Sequence, residues 1–371
     1  MYSIFYTIVM VIVWVINLLN GTGWGMAYKT TEIAMLGAVV ITVVCLAFKL
    51  TQEGDILVQP RFFYVIVPIV LVFGGASILN GYGITGLESL WPFLVVYILS
   101  FTRPNITALR MTAIAYGVLG LAVLYVYSYT DILKGWNVNT IAMIGLFSFL
   151  TFTIPFYGMS GWRSFVLMPL VGAAYVVLIW PTDSRSCILA IIVALAIVLR
   201  LVPVKKVICS SVGMWIILLV PLIIAVFISL FSIFGDVSGL TQWSYETFNK
   251  PLFNGRDQIW MDGFIRMFQN PLFGTGNNNN SGYWHNSAMA CLTAFGAVGY
   301  YLWVKLLRLI LREGLPYVED VCVIGSIAVF LVLYCHQSVE LGVFAVSPSL
   351  LPYAILGILL GRVNYLRSER R

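Results

Sequence analysis

The sequence predicts an all-α polytopic membrane protein of about 12 transmembrane helices, with one long extracytoplasmic loop between spans nine and ten. Three observations carry this expectation. The chain has 371 residues, of which 60% are hydrophobic and only 10% charged, against about a quarter charged in a soluble domain. Apolar runs of about 20 residues recur from end to end, the length a helix needs to cross a hydrocarbon core of roughly 30 Å. In lipid, backbone polar groups must be satisfied within the segment, so such runs read as helices.

Taken in order, spans are expected at 3–20, 33–50, 62–79, 87–101, 108–128, 139–157, 163–180, 186–202, 208–234, 285–311, 319–339 and 349–366. Residues 1–371 then form a single membrane domain. The apolar sequence begins at Ile4 without a basic n-region, so the first run is expected to be a retained helix and not a signal peptide. No internal repeat marks the chain as a secondary transporter. The six cysteines fall in or beside apolar runs and no pair has metal-ligand spacing, so free, mostly buried thiols are expected, with no metal and no disulfide framework.

An even number of spans puts both termini on one side. That side receives 15 of the 21 lysines and arginines, and the other side six: Lys29, Lys134, Arg185, Lys250, Arg256 and Arg266. The positive-inside rule then places both termini in the cytoplasm and residues 235–284 outside. The basic excess is accounted for by topology and carries no sign of nucleic acid. It does not account for the cations left outside.

Arg185 stands at the outer start of span eight, in Pro181-Thr-Asp183-Ser184-Arg185, with Ser184 as the expected N-cap. A cation at a helix N-terminus opposes the helix dipole. An anion held there would use both its guanidinium and the free N–H groups of the first turn. An interfacial anchor is the plainer alternative. In the loop, Asn254-Gly255-Arg256-Asp257 reads as a turn into a short helix, and Trp260, Phe264, Met267 and Phe268 give it an apolar stripe. Such a helix lies on the membrane surface or covers a cavity. Arg256 sits at its start and Arg266 on its other face. Asn270-Pro271 ends it, and Gly274-Thr275-Gly276 with Asn277 to Asn280 reads as a flexible connector.

His285 opens span ten at the outer interface. There an imidazole can act as a general base or serve only as a polar helix start. Gly296 and Gly299 follow 11 and 14 residues later, about 16–21 Å down a helix, where they would let a neighbouring helix approach. His336 and Glu340 lie four apart near the outer end of span eleven, spaced to pair on one helix face. Glu88, near the outer end of span four, is a further candidate for a supporting role.

Three motifs in this order resemble the bacterial O-antigen ligase and O-antigen polymerase superfamily. They are Arg185-x3-Leu189; Gly255-Arg256 with Trp260 and Asn270-Pro271-Leu-Phe-Gly274-Thr-Gly276; and His285-Asn286 followed nine residues later by Gly296-x-x-Gly299. The resemblance covers about residues 181–300. It implies a membrane-embedded, metal-independent, inverting glycosyltransferase without a cofactor. The implied donor is a glycan on undecaprenyl diphosphate, held by Arg185 and Arg256, with His285 orienting or deprotonating the acceptor hydroxyl. Asn286, Arg266, His336, Glu340 and Glu88 fall to supporting roles. The implied setting is the bacterial inner membrane, with the site on the periplasmic side. The expected acceptor is a second lipid-linked glycan, which makes the protein a polymerase, with a chain-length regulator as partner. The alternative is lipid A-core, which makes it a ligase. A lipid-linked glycan flippase is the more distant reading, and it is disfavoured because the unexplained charges lie on one outer face and not within the spans.

Overall fold

The computed structural model describes residues 2–20, 37, 60–133, 135–158, 161–235, 238–248, 251–277, 281–340, 342–344 and 349–370. Among these residues all regular structure is helical. The α-helices, in chain order, are α1 (Tyr2–Asn20), α2 (Pro60–Leu79), α3 (Pro92–Ser100), α4 (Ile106–Tyr129), α5 (Val138–Thr153), α6 (Trp162–Ile179) and α7 (Arg185–Val198). They continue with α8 (Val204–Cys209), α9 (Ser211–Phe234), α10 (Ser238–Phe248), α11 (Arg256–Gln269), α12 (Ser287–Glu313), α13 (Val321–His336) and α14 (Leu350–Glu369).

Helix starts follow capping chemistry. Asn105 accepts from the Ala108 N–H at 2.8 Å, Ser210 from the Gly213 N–H at 3.1 Å, and Asp320 from the N–H groups of Cys322 and Val323 at 3.0 and 3.1 Å. Each satisfies donors that the first helical turn leaves orphaned. Ser184, the cap expected for α7, makes no side-chain cap bond.

Burial orders the bundle. Every side chain of α13 from Cys322 to Tyr334 is buried, and a helix apolar on all sides belongs at the centre. It packs on α5, α7, α9 and α14. The helix α9 forms an outer wall, presenting Ile216, Ile223, Phe227 and Phe234 outward. Exposed aliphatic and aromatic side chains on a predominantly apolar helix are what a lipid-facing surface requires.

Among the described residues, six helical segments are long and apolar enough to cross a membrane by length and composition, and four further apolar helices are shorter. A multi-span helical membrane protein is supported, while several of the twelve expected runs are shorter or interrupted. The run at 87–101 is interrupted, with a 3-10 turn over Thr85–Leu90 giving way to α3 at Pro92. The runs at 186–202 and 319–339 yield helices of only 14 and 16 residues. The run at 208–234 starts after a break at Ser210 that separates α8 from α9. The expected span 33–50 falls outside the described residues, apart from Gly37.

The two ends of the bundle differ in charge chemistry. At one end Lys205 pairs with Glu319, Arg362 with Asp320 at 2.6 Å and Arg367 with Glu313 at 3.3 Å, while Arg308 donates to Ser211 Oγ at 2.6 Å. The opposite end, where α7, α11 and α12 begin and α13 finishes, gathers Arg185, Arg256, His285, His336 and Glu340.

Candidate active site at the cation-rich end

The loop after α9 folds into two helices, where the sequence suggested one. Gly255 (φ +77°) turns the chain into α11, a conformation that glycine adopts without a Cβ penalty. Asp257 follows in the first turn, where a carboxylate suits the helix dipole, and accepts from Ser232 Oγ of α9 at 2.8 Å. Trp260 is fully buried and donates its indole N–H to the Trp284 carbonyl at 2.7 Å. A buried tryptophan needs such a partner, and this one fixes α11 against the residue preceding His285. Trp260, Phe264 and Met267 of the stripe thus face protein, while Phe268 is exposed.

The second half of the loop is a wedge. At Gly296 the helix α12 breaks, with φ +66° and ψ −170°. A Cβ at Gly296 would stand 2.4 Å from the backbone carbonyl of Leu272, and one at Gly274 (φ +66°) 2.4 Å from that of Ala294. Backbone bonds cross the junction: Ala297 N–H to Pro271 O at 2.8 Å, Val298 N–H to Leu272 O at 3.1 Å, Thr275 N–H to Thr293 O at 3.0 Å and Gly276 N–H to Ala294 O at 2.8 Å. Ser77 Oγ of α2 donates to Gly276 O at 2.7 Å. Two expectations are corrected here. Residues 274–276 are a docked segment and not a loose connector, and Gly296 admits loop backbone and not a neighbouring helix. The physical reason is that the broken helix leaves N–H and C=O groups that the loop satisfies. Gly299 faces Phe73 of α2, whose ring would be 3.2 Å from an added Cβ.

His285 lies outside α12, between the 3-10 turn Ser281–Trp284 and the helix, at φ +45°. This left-handed conformation costs a non-glycine residue about 1–2 kcal/mol. The cap is Asn286, fully buried, whose Oδ1 accepts from the Ala288 and Met289 N–H groups at 2.8 and 3.0 Å. Its Nδ2 donates to the carbonyls of Pro221 and Ser338, each at 2.9 Å. Both polar side-chain atoms of Asn286 are thereby used in holding the frame.

Glu340 is where the parts meet. Its carboxylate accepts from Arg256 Nη2 at 2.8 Å through Oε1 and stands 3.8 Å from His285 Nδ1 through Oε2. Its side chain is 10% exposed, against 43% for His285, so the imidazole is the accessible member. Burial pushes the Glu340 carboxyl up, but the nearby His285 ring and the charges of Arg256 and His336 outweigh it and hold the group below the ordinary carboxylate value. The expected pairing of His336 with Glu340 on one helix face is replaced, because α13 ends at His336 and Glu340 lies in the turn beyond. His336 instead meets α7, with Nε2 3.1 Å from Ser186 Oγ and 3.5 Å from Cys187 Sγ.

Arg185 starts α7 and donates from Nη1 to Ser244 Oγ of α10 at 3.5 Å. Arg266 lies on the outer face of α11 with its guanidinium 5.7 Å from the Trp284 ring centroid. It borders an open recess of about 450 Å³ with Asp262, Gln269 and Thr275. Glu88 lies in the 3-10 turn before α3, and among the described residues no hydrogen bond or ion pair joins it to the others. A larger groove of about 640 Å³ between α2, α3, α12 and α14 includes none of these groups.

Sequence reasoning missed Ser244 and its helix α10, whose mixed polar sequence has no capping or periodic signature. It also missed Ser186, although Ser186 sits inside the Arg185-x3-Leu189 motif. The free cysteines include an exposed one, Cys209, because the chain breaks there between α8 and α9.

No curated protein and no solved structure matches the chain. Residues 170–304 match the family model described as O-antigen ligase. The match spans about a third of the chain and includes Arg185, Arg256, His285, Gly296 and Gly299, and it ends before His336 and Glu340. The segment that builds most of the cation-rich end is therefore similar to the O-antigen ligase family.

Proposed function

We propose that the protein is a membrane glycosyltransferase that moves a glycan from a polyprenyl diphosphate, undecaprenyl diphosphate in bacteria, onto a sugar hydroxyl. The observation that carries this reading is the convergence of Arg256 and His285 on one buried carboxylate, at the same end of the bundle as Arg185. Two guanidinium forks suit a diphosphate leaving group. In a site shielded from water their charge stabilises the negative charge that develops as the bond breaks. The acceptor oxygen bonds to the anomeric carbon, the bond to the diphosphate breaks with inversion, and the hydroxyl proton passes to His285. A positioned base of this kind contributes about 10²–10⁴-fold.

The reading places the protein in the inner membrane, with this end periplasmic and both termini cytoplasmic. The reaction takes no metal or cofactor. The acceptor is lipid A-core for a ligase or a second lipid-linked repeat for a polymerase. The compact chain led to the expectation of a polymerase, and the description of the matching family favours a ligase. Arg185→Ala, Arg256→Ala and His285→Ala each abolish transfer while the protein still inserts and purifies; parental transfer by all three refutes the reading. Cells lacking the protein separate the two acceptors on a surface-glycan gel. Single repeats on the core identify a polymerase, and polymer retained on the carrier identifies a ligase.

A further inference from the structure

We propose that Glu340 is the positioning residue of this site: one carboxylate oxygen holds Arg256, the other fixes the His285 ring by its Nδ1–H, and Nε2 is left with its lone pair for the acceptor. The inference rests on the transfer reading above and adds to it a residue outside the matched segment. It also adds an order of events.

The turn that carries Glu340 is stitched to the start of α12, directly after His285. Ser287 N–H donates to Gln337 O at 3.1 Å and Asn286 Nδ2 to Ser338 O at 2.9 Å, while Val343 N–H donates to Gln337 Oε1 at 2.9 Å. These bonds set the register of Glu340 against His285 through the frame, independently of the weak 3.8 Å contact itself. That contact is longer than the roughly 2.7–3.2 Å of a formed N–H···O bond, and catalytic bonds in ligand-free sites commonly tighten on substrate binding. The left-handed backbone at His285 is a strained conformation of the kind that accumulates where geometry is functional.

A carboxylate this buried persists only when paired. It offers about four lone-pair positions, and Arg256 Nη2 occupies one. The titratable and charged groups that face it are Arg256 from α11, His285 from the turn before α12, His336 from the end of α13 and the Cys187 thiol from α7. Arg256 Nε is buried with no partner, so this guanidinium retains donor capacity for an incoming oxygen. When a donor diphosphate engages Arg256, less of the Glu340 charge is neutralised and more is available to His285. The base is then strongest once the donor is in place. In the reaction the acceptor proton goes to Nε2, the Nδ1 proton stays between the ring and Glu340, and the bonding pair departs with the diphosphate.

The test reads the tautomer directly. The chain has two histidines, so ring ¹⁵N spectra of the ¹⁵N-histidine-labelled full-length protein in lipid nanodiscs contain two residues, assigned with the His285→Gln protein. The expected spectrum at neutral pH has His285 protonated at Nδ1. In Glu340→Ala the proton moves to Nε2, the form a free imidazole prefers. Transfer, measured in membranes that contain the native lipid-linked glycan, falls on the order of 10²–10⁴-fold in Glu340→Ala, and Glu340→Asp restores part of it. Should Glu340→Ala not fold, Glu340→Gln gives the same spectral comparison. A parent protonated at Nε2, or a tautomer unchanged by Glu340 substitution, overturns the role of Glu340 while an inactive His285→Ala leaves the transfer reading standing. Parental transfer by His285→Ala overturns the base role of His285 and with it the positioning role of Glu340, and parental transfer by Arg185→Ala and Arg256→Ala as well refutes the transfer reading itself.

Discussion

Replacing Gly296 with alanine tests whether the loop and α12 form one interlocked unit. At φ +66° and ψ −170° the backbone lies in a region that is essentially glycine-only, and a side chain there costs about 1–3 kcal/mol. The new Cβ would also meet Leu272 O at 2.4 Å and Phe273 N at 2.5 Å. Carbon and oxygen need about 1 Å more than this, and both atoms are backbone, so the loop must withdraw. Withdrawal strains or breaks the bonds from Ala297 and Val298 to Pro271 and Leu272, each worth about 0.5–1.5 kcal/mol net. The sum is about 2–6 kcal/mol, a large fraction of the stability of an ordinary domain. The control is Gly75→Ala in α2, where an added Cβ meets nothing within 4 Å and alanine gains up to about 1 kcal/mol of helix propensity. Thermal unfolding of the purified proteins in nanodiscs, with limited proteolysis of the 235–284 segment, reads both. Gly296→Ala should unfold well below the parent and be cut in the loop, while Gly75→Ala should match or exceed it. A Gly296→Ala protein with parental melting and an uncut loop refutes the interlock.

Three further perturbations follow from the same geometry. Asn286→Ala removes the α12 cap and leaves the carbonyls of Pro221 and Ser338 without their donor, at a cost of about 2–5 kcal/mol from the cap and the buried unsatisfied groups, read as a lowered melting temperature. Trp260→Phe keeps an aromatic side chain but removes the indole N–H and leaves the Trp284 carbonyl unpaired; about 1–3 kcal/mol is lost from the unmet carbonyl alone, and transfer falls because Trp284 precedes His285. The carboxyl of Glu340 is held below its ordinary value of 4.5, so its contribution to stability is complete above that value and is lost as pH falls through it and below. Melting temperatures of the parent and Glu340→Gln proteins should therefore converge as the pH drops beneath about 4.5, and parallel curves across that range refute the assignment.

Much of the bundle was legible because apolar periodicity and capping are local. The first helix, expected at 3–20, forms over Tyr2–Asn20, and the loop helix begins at Arg256 as its Asn-Gly turn indicated. Arg185 and Arg256, two of the cations that topology leaves outside, lie with His285 at one end of the bundle. What the sequence could not reveal is pairing at long separation. Glu340 was read against His336, its neighbour four residues away, because helix spacing is the only geometry a sequence offers. Its partner Arg256 lies 84 residues distant, and the link depends on α13 stopping at His336. Gly296 was misread for the same reason. Nothing local distinguishes a glycine that admits a neighbouring helix from one that breaks its own, since the difference lies in where residues 271–276 dock. Ser210 and Trp91 mark breaks inside apolar runs whose composition is uniform on both sides.

The wedge at Gly296 also bears on how substrates reach the site. A cover hinged to lift off the bundle would have to break four backbone bonds between residues 271–276 and residues 293–298 and expose both sets of groups. The segment is pinned a second time by Ser77 of α2. Arg256 is thus mounted on an arm anchored at its far end, and its position does not depend on a closing motion. A site built this way is ready before substrate arrives, so its cost is met during folding and not in each turnover. Under the proposed function, a lipid-borne donor must therefore reach the site without the cover lifting.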